Sequence, residues 1–228
     1  MNLATLYSEL PRNAHVLDVG CFGFGQVAKA KELNRSDLRH AGVDYCEPQS
    51  FPAGFDFRKA DLNREPIPFP DDTFDLVVAS HIIEHLDDGV VFFGECLRVL
   101  KPGGLLYVEA PSERSLWLPS MPYQRDSFFS LSFFDDPTHR LRPWPPQALH
   151  RLTLYYGCEP LHSSYIQSWK CVFLLPVYLL NAWLKRSGSR LEGAVWGAIG
   201  WACYLIAKKP ESLSGKPPFF YYIPKSRP

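Results

Sequence analysis

The stretch VLDVGCFGFG, residues 16–25, decides how the rest of the chain reads. HVLDVG (15–20) is a short apolar run ending in an acid and a glycine, the pattern of a buried strand. Glycines follow at 20, 23 and 25, and QVAKAKEL (26–33) continues at helical period. A strand that passes through glycines into a helix can turn sharply and lets a ligand approach main-chain atoms. The order Gly20-x-x-Gly23-x-Gly25 matches neither G-x-G-x-x-G nor the phosphate-cradling G-x-x-x-x-G-K-[ST]. A pyrophosphate ligand therefore fits this loop poorly.

Working outward, HAGVDY (40–45), FDFRKADL (55–62), FDLVVAS (74–80) and LLYVEA (105–110) read as four further strands. A helical segment over about 81–100, bent near Asp87–Gly89, stops at KPGG (101–104). PPQALHRLTLYYG (145–157) is a helix with Pro at its start and Gly after its end. EPLHSSYI (159–166) and WACYLIA (201–207) are the sixth and seventh strands, with an apolar helical insert (170–200) between them. Strands alternating with helices predict a doubly wound, mostly parallel seven-stranded α/β sheet. Residues 111–146 form a long loop rich in Pro, Ser, Asp and aromatics, expected to act as a lid. One domain is expected over 1–210, with an extended, Pro-rich tail at 211–228.

The chain has 228 residues, with Lys+Arg and Asp+Glu equal at 24 each. That balance argues against a nucleic-acid partner, and LKRSGSR (184–190) reads as a solvated loop. Six cysteines without C-x-x-C spacing read as reduced, core-type thiols of a cytoplasmic protein. The N-terminus lacks a basic start and apolar run, so no signal peptide is expected. CVFLLPVYLLNAWL (171–184) and GAVWGAIGWACYLIA (193–207) are each shorter than the roughly 18–20 apolar residues of a spanning helix. They are expected to be a buried helix and strand, with peripheral membrane contact or a homodimer face as alternatives.

Three acids sit at strand ends: Asp18 before Gly20, Asp44 closing the second strand, Asp61 after the third. In a doubly wound sheet such positions share one crevice at the carboxyl edge. A crevice with several carboxylates suits a ligand with a ribose, hydrogen-bond donors and positive charge.

These residues carry a resemblance. VLDVGCFGFG, GVDY, KADLNREPIPFPDDTFDLVVASHIIEHL and ECLRVLKPGGLLYVEAP (95–111) resemble, in order and spacing, the motifs of class I S-adenosylmethionine-dependent methyltransferases over about residues 14–111. The resemblance implies a Rossmann-like methyltransferase fold, with S-adenosylmethionine as cofactor and S-adenosylhomocysteine as product. It implies that Asp18 orders the glycine loop and helps hold the methionine amino group. Gly20, Cys21, Gly23 and Gly25 would let the backbone pass under the cofactor. Asp44 would accept from both ribose hydroxyls, with Tyr45 beside the adenine. Asp61 would accept from the adenine amino group, and the Leu62 N–H would reach the ring. Ser80 and His81 would lie near the methionine end. The family pattern D-x-G-x-G-x-G is lengthened here by one residue, at or near Phe22.

SHIIEHL (80–86) also has the H-x-x-E-H spacing of one class of zinc peptidases. Catalytic zinc needs three protein ligands and an open site. The sequence identifies no third ligand, so no metal is assigned and the run is read as structural or cofactor-adjacent.

Methyl transfer from a sulfonium mainly requires alignment, and an alcohol acceptor also needs a base. His139, in DDPTHRLRPW (135–144), and His85 are the candidates. Tyr123 and Arg125 are candidate acceptor contacts. The expected acceptor is a small molecule, a sugar or a lipid-linked compound. The alternative is a non-catalytic, cofactor-binding partner subunit, for which the lengthened glycine loop is the motive.

Overall fold

The computed structural model describes residues 2–120, 131–140 and 142–211. Seven strands form one sheet: β1 (His15–Val19), β2 (Arg39–Asp44), β3 (Asp56–Lys59), β4 (Phe74–Ser80), β5 (Leu100–Pro111), β6 (Glu159–Tyr165) and β7 (Ala202–Lys208). Their order is β3-β2-β1-β4-β5-β7-β6. The first five are parallel, while β7 lies antiparallel to both β5 and β6. The expected mostly parallel, doubly wound sheet is the observed one.

Side chains alternate between two cores, as the pleat requires. Leu76 and Val78 face one core and Val77 and Ala79 the other. The first core holds Leu6, Tyr7 and Leu10 of and just beyond α1 (Leu3–Glu9), together with Ala30 of α2 (Gly25–Glu32). The second is covered by α3 (Gly89–Val99), through Phe92, Phe93 and Cys96, and by α4 (Pro146–Tyr155), through Leu149 and Leu152. Capping marks the helix starts. Asp88 accepts from the N–H groups of Val90 and Val91 at the head of α3, and Asn2 from Thr5 at α1.

Two expectations shift here. The helix expected over 81–100 is a short 3-10 turn at Ile83–His85, a break, and then α3. The fifth strand starts at Leu100 rather than 105, so KPGG lies within its irregular first half, with Gly103 at φ +74°. Lys209 closes this corner. It is buried, and its ammonium donates to Leu97 O at 2.8 Å, Leu100 O at 2.6 Å and Asp72 Oδ1 at 2.7 Å.

The apolar insert is a hairpin of α5 (Trp169–Leu184) and α6 (Gly188–Ile199). Gly197 admits the close approach: a Cβ there would lie 2.8 Å from Cys171 Sγ. The expectation that 171–184 is a buried helix is corrected. Phe173, Val177, Leu180, Trp183 and Leu184 are exposed, as is Trp169. No residue of α5 or α6 belongs to either core; the hairpin is inserted in the chain between β6 and β7. The second apolar stretch divides into the end of α6 and the buried strand β7, where Cys203, Leu205 and Ile206 are fully enclosed. Among the described residues no helix is long and apolar enough to cross a membrane. The tail beyond residue 211 lies outside the described residues, as do Tyr123 and Arg125.

Candidate functional site

The carboxyl ends of β1, β2 and β4 lie side by side, because Val19 registers with both Val43 and Ala79. The glycine loop leaves β1 at this edge. Gly20 takes φ +81° and Gly23 φ +91°, both left-handed, which explains glycine at these two positions. A Cβ on Gly20 would also meet Ile82 at 3.5 Å. The N–H of Gly20 donates to Val43 O at 2.9 Å, stitching the loop to β2. Cys21 is buried against β2, where only glycine fits opposite: a Cβ on Gly42 would lie 2.6 Å from Cys21 Sγ. Burial, with Asp18 and Asp44 nearby, pushes the Cys21 thiol up to about 12, so it remains a thiol.

The lengthened loop has a structural use. The N–H of Phe22 donates to Asp44 Oδ2 at 3.0 Å, while Cys46 N–H donates to Oδ1 at 2.8 Å. Asp44 thus joins the glycine loop to the end of β2 with both oxygens, and each retains a further lone pair. Tyr45, next along, is 68% exposed and leaves its ring face open to a ligand. Asp61 lies beyond β3. It accepts from Asn63 N–H at 3.1 Å and pairs with Arg64 at 3.4 Å, with Leu62 packed against the core beside it.

Asp18 is 5% exposed. Burial pushes its carboxyl up to about 7; the backbone N–H of Gln26 opposes this and the Asp44 charge adds to it. A buried acid at the floor of the loop, poised near neutrality, is an acceptor for a cationic ligand group.

Ser80 ends β4 opposite Glu109 of β5, and His81 follows in the left-handed region at φ 53°. Its ring bridges two carboxylates. Nδ1 lies 3.2 Å from Glu84 Oε1 and Nε2 lies 3.1 Å from Glu109 Oε1. Tyr107 donates to the other oxygen of Glu109 at 2.6 Å. Burial pulls the imidazole pKa down, but the hydrogen bonds and charges of Glu109 and Glu84 outweigh this and hold it up at about 10. His81 is therefore an imidazolium strut between the β4 turn and β5. The sequence reading missed Glu109 and Tyr107; their signal was a glutamate at the carboxyl end of the strand next to β4.

His85 turns away from His81 and meets the loop after residue 130. Its ring lies 4.9 Å from that of His139, which stacks on Phe133 at 4.3 Å. Loop 131–140 is held by a capping box of Ser132 and Asp135, by Arg140 N–H to Glu84 O at 2.9 Å and by Arg140 to Asp87 at 2.8 Å. Trp201 Nε1 anchors Leu131 O at 2.6 Å. The structure thus brings the two histidines together, beside the turn that carries Ser80 and His81.

Comparison with known proteins agrees with this geometry. The family model described as "Methyltransferase domain" matches residues 17–108. A probable S-adenosylmethionine-dependent methyltransferase of Mycolicibacterium smegmatis is 35% identical over 100 residues, covering 42% of this chain and 38% of the relative. A fatty-acid O-methyltransferase of the same organism is 36% identical over 105 residues, covering 42% and 36%. The matched segment thus spans well under half the length of these relatives. In fold, the chain is similar to an S-adenosylmethionine-dependent methyltransferase from Archaeoglobus fulgidus, at TM-score 0.55 and 23% identity over 90% of this chain and 92% of that one. Over residues 17–108 the chain is thus similar to S-adenosylmethionine-dependent methyltransferases, and the described residues share their fold.

Proposed function

We propose that the chain binds S-adenosylmethionine across the carboxyl edge of its sheet and transfers the methyl group to a lipid-borne acceptor. The observation that carries the cofactor half is the spacing of three carboxylates along one crevice around a glycine loop. Asp44, at the end of β2, keeps lone pairs for the ribose hydroxyls after bonding the Phe22 and Cys46 amides. Asp61 serves the adenine amino group, and buried Asp18 supports the methionine ammonium through the loop. Gly20, Cys21, Gly23 and Gly25 form the floor under the methionine chain, and Leu62 and Tyr45 flank the base.

Methyl transfer needs the acceptor in line behind the sulfonium methyl. His85 and His139 are the acceptor-side groups, since the lid loop brings them to the turn after β4. The His81 strut holds that turn against β5.

The lipid half rests on α5. Its exposed stripe of Trp169, Phe173, Val177, Leu180, Trp183 and Leu184 has the spacing of an interfacial helix face. Exposed Lys170, Lys185, Arg186 and Arg190 flank it, suiting an anionic lipid surface. The fatty-acid O-methyltransferase among the relatives supports the same reading.

The test is calorimetric titration with S-adenosylmethionine and S-adenosylhomocysteine, followed by methyl transfer to lipid extracts presented in vesicles. Micromolar cofactor binding and a labelled lipid product are expected. Cofactor binding with turnover on soluble acceptors alone would remove the lipid half. Binding without turnover on any acceptor would favour a partner-subunit role.

A further inference from the structure

The hydrogen bonding around His85 and His139 defines which nitrogen of each ring carries a proton. His139 Nδ1 lies 2.7 Å from Phe133 O, and a carbonyl only accepts. Nδ1 therefore holds a hydrogen, which leaves Nε2 as the nitrogen free to act as a ligand. The Thr138 hydroxyl gives its hydrogen to Asp136 Oδ1 at 2.6 Å, so its oxygen accepts from His85 Nδ1 at 3.0 Å. The Thr138 carbonyl, 3.3 Å from the same nitrogen, is a second acceptor. In His85 too, Nε2 is thus the nitrogen free to act as a ligand. Among the described residues nothing hydrogen-bonds either Nε2; Asp136 Oδ2 approaches that of His139 only to 3.9 Å.

Glu84 completes the cluster. Its Oε1 is committed to His81, but its Oε2 is buried without a hydrogen-bond partner among the described residues, in a residue 1% exposed. An orphaned carboxylate oxygen is costly unless something positive sits against it. Glu84, His85 and His139 each offer one ligand atom, and these three atoms lie within 4.8 Å of one another. The cluster is rich in lone pairs, and its two imidazole N–H groups are turned to Phe133 O and to Thr138.

We propose that Glu84, His85 and His139 bind a divalent transition-metal ion, Zn2+ or a first-row neighbour, with open coordination positions facing the acceptor. Two imidazoles and one carboxylate are the donor set of open catalytic sites, and imidazole disfavours Mg2+ and Ca2+. Both rings already have the outer hydrogen bond that orients a metal-bound histidine, to Phe133 O and to Thr138. Ligand atoms about 2.1 Å from an ion lie roughly 3.0–3.5 Å apart, so binding draws the three side chains together by about an ångström. The ion's role, though not its binding, rests on the methyl-transfer reading: it would hold an acceptor oxygen and lower its pKa. The Nε2 lone pairs would then act as ligands rather than as bases.

The test uses the full chain, stripped with a chelator and titrated with Zn2+ by calorimetry and with Co2+ by absorption. One equivalent should bind, and Co2+ should give visible bands without the near-ultraviolet thiolate band that cysteine ligation produces. His85→Ala and His139→Ala should each weaken binding by ~100-fold, and Thr138→Val by about tenfold. Thermal melting and S-adenosylhomocysteine titration of the same variants show whether they fold and whether the cofactor site is intact. The cofactor titration tests the methyl-transfer reading separately from the metal result. Absence of stoichiometric binding by the wild type, a thiolate band, or binding that survives both histidine substitutions in folded protein would overturn the proposal.

Discussion

The backbone N–H of Phe22 donates to Asp44 Oδ2 at 3.0 Å, tying the lengthened glycine loop to the acid that ends β2. The residue that breaks the family spacing is therefore a fastener. Asp44→Ala removes the anchor of the loop and, on the proposed function, the ribose acceptor with it. Hydrogen bonds to a charged group contribute about 1.5–3 kcal/mol each, so S-adenosylhomocysteine affinity should fall by roughly 100-fold or more in calorimetry. Amide hydrogen exchange at residues 21–25 should rise in the same variant. Unchanged exchange there would show that the loop holds its shape without Asp44.

Asp18 predicts a pH dependence. Its carboxyl stands at about 7 in the fold against an ordinary value of 3.8. Between these values the folded protein binds more protons at this site than the unfolded chain does. The Asp18 contribution to stability without ligand is therefore most favourable below about pH 4 and is lost as pH rises through about 7. A cationic ligand favours the ionised form, so S-adenosylmethionine affinity should increase from pH 6 to pH 8. Asp18→Asn should flatten both profiles. Titrations at three pH values and chemical denaturation across the same range check this.

Lys209 predicts a stability effect remote from the site. Its ammonium satisfies Leu97 O, Leu100 O and Asp72 at the α3–β5 junction. Lys209→Met retains the bulk but leaves two carbonyls without their donor, and should cost about 2–4 kcal/mol in urea denaturation. Asp72→Ala should cost less, because the Asp72 side chain is 53% exposed.

The exposed face of α5 predicts surface binding. Replacing Phe173 and Trp183 with Ser removes two aromatic side chains worth about 1.5–3 kcal/mol each when buried. Sedimentation with anionic vesicles should show binding at least tenfold weaker, with the melting temperature and S-adenosylhomocysteine affinity unchanged, since neither residue belongs to a core. A fall in melting temperature instead would mean that the face is covered within the protein.

Local pattern was enough for the sheet and for the place of three acids at one edge of it. The apolar runs at 15–20, 40–45 and 74–80 became β1, β2 and β4 within a residue or so, because a strand buried on both faces leaves a contiguous signal. Asp18, Asp44 and Asp61 were legible because each lies at or just beyond the carboxyl end of a parallel strand, and topology carries all such ends to one edge. Glu84, His85 and His139 were different. The first two are neighbours in HIIEH, but the third is 54 positions further on, in a loop without period, and only the packing of residues 131–140 onto the turn after β4 makes a cluster of them. The role of His81 likewise waited on Glu109, which pairs with it across adjacent strands. For α5, composition recorded apolarity but not its direction. Burial is a property of what surrounds a helix, and the hairpin of α5 and α6 lies beyond both cores.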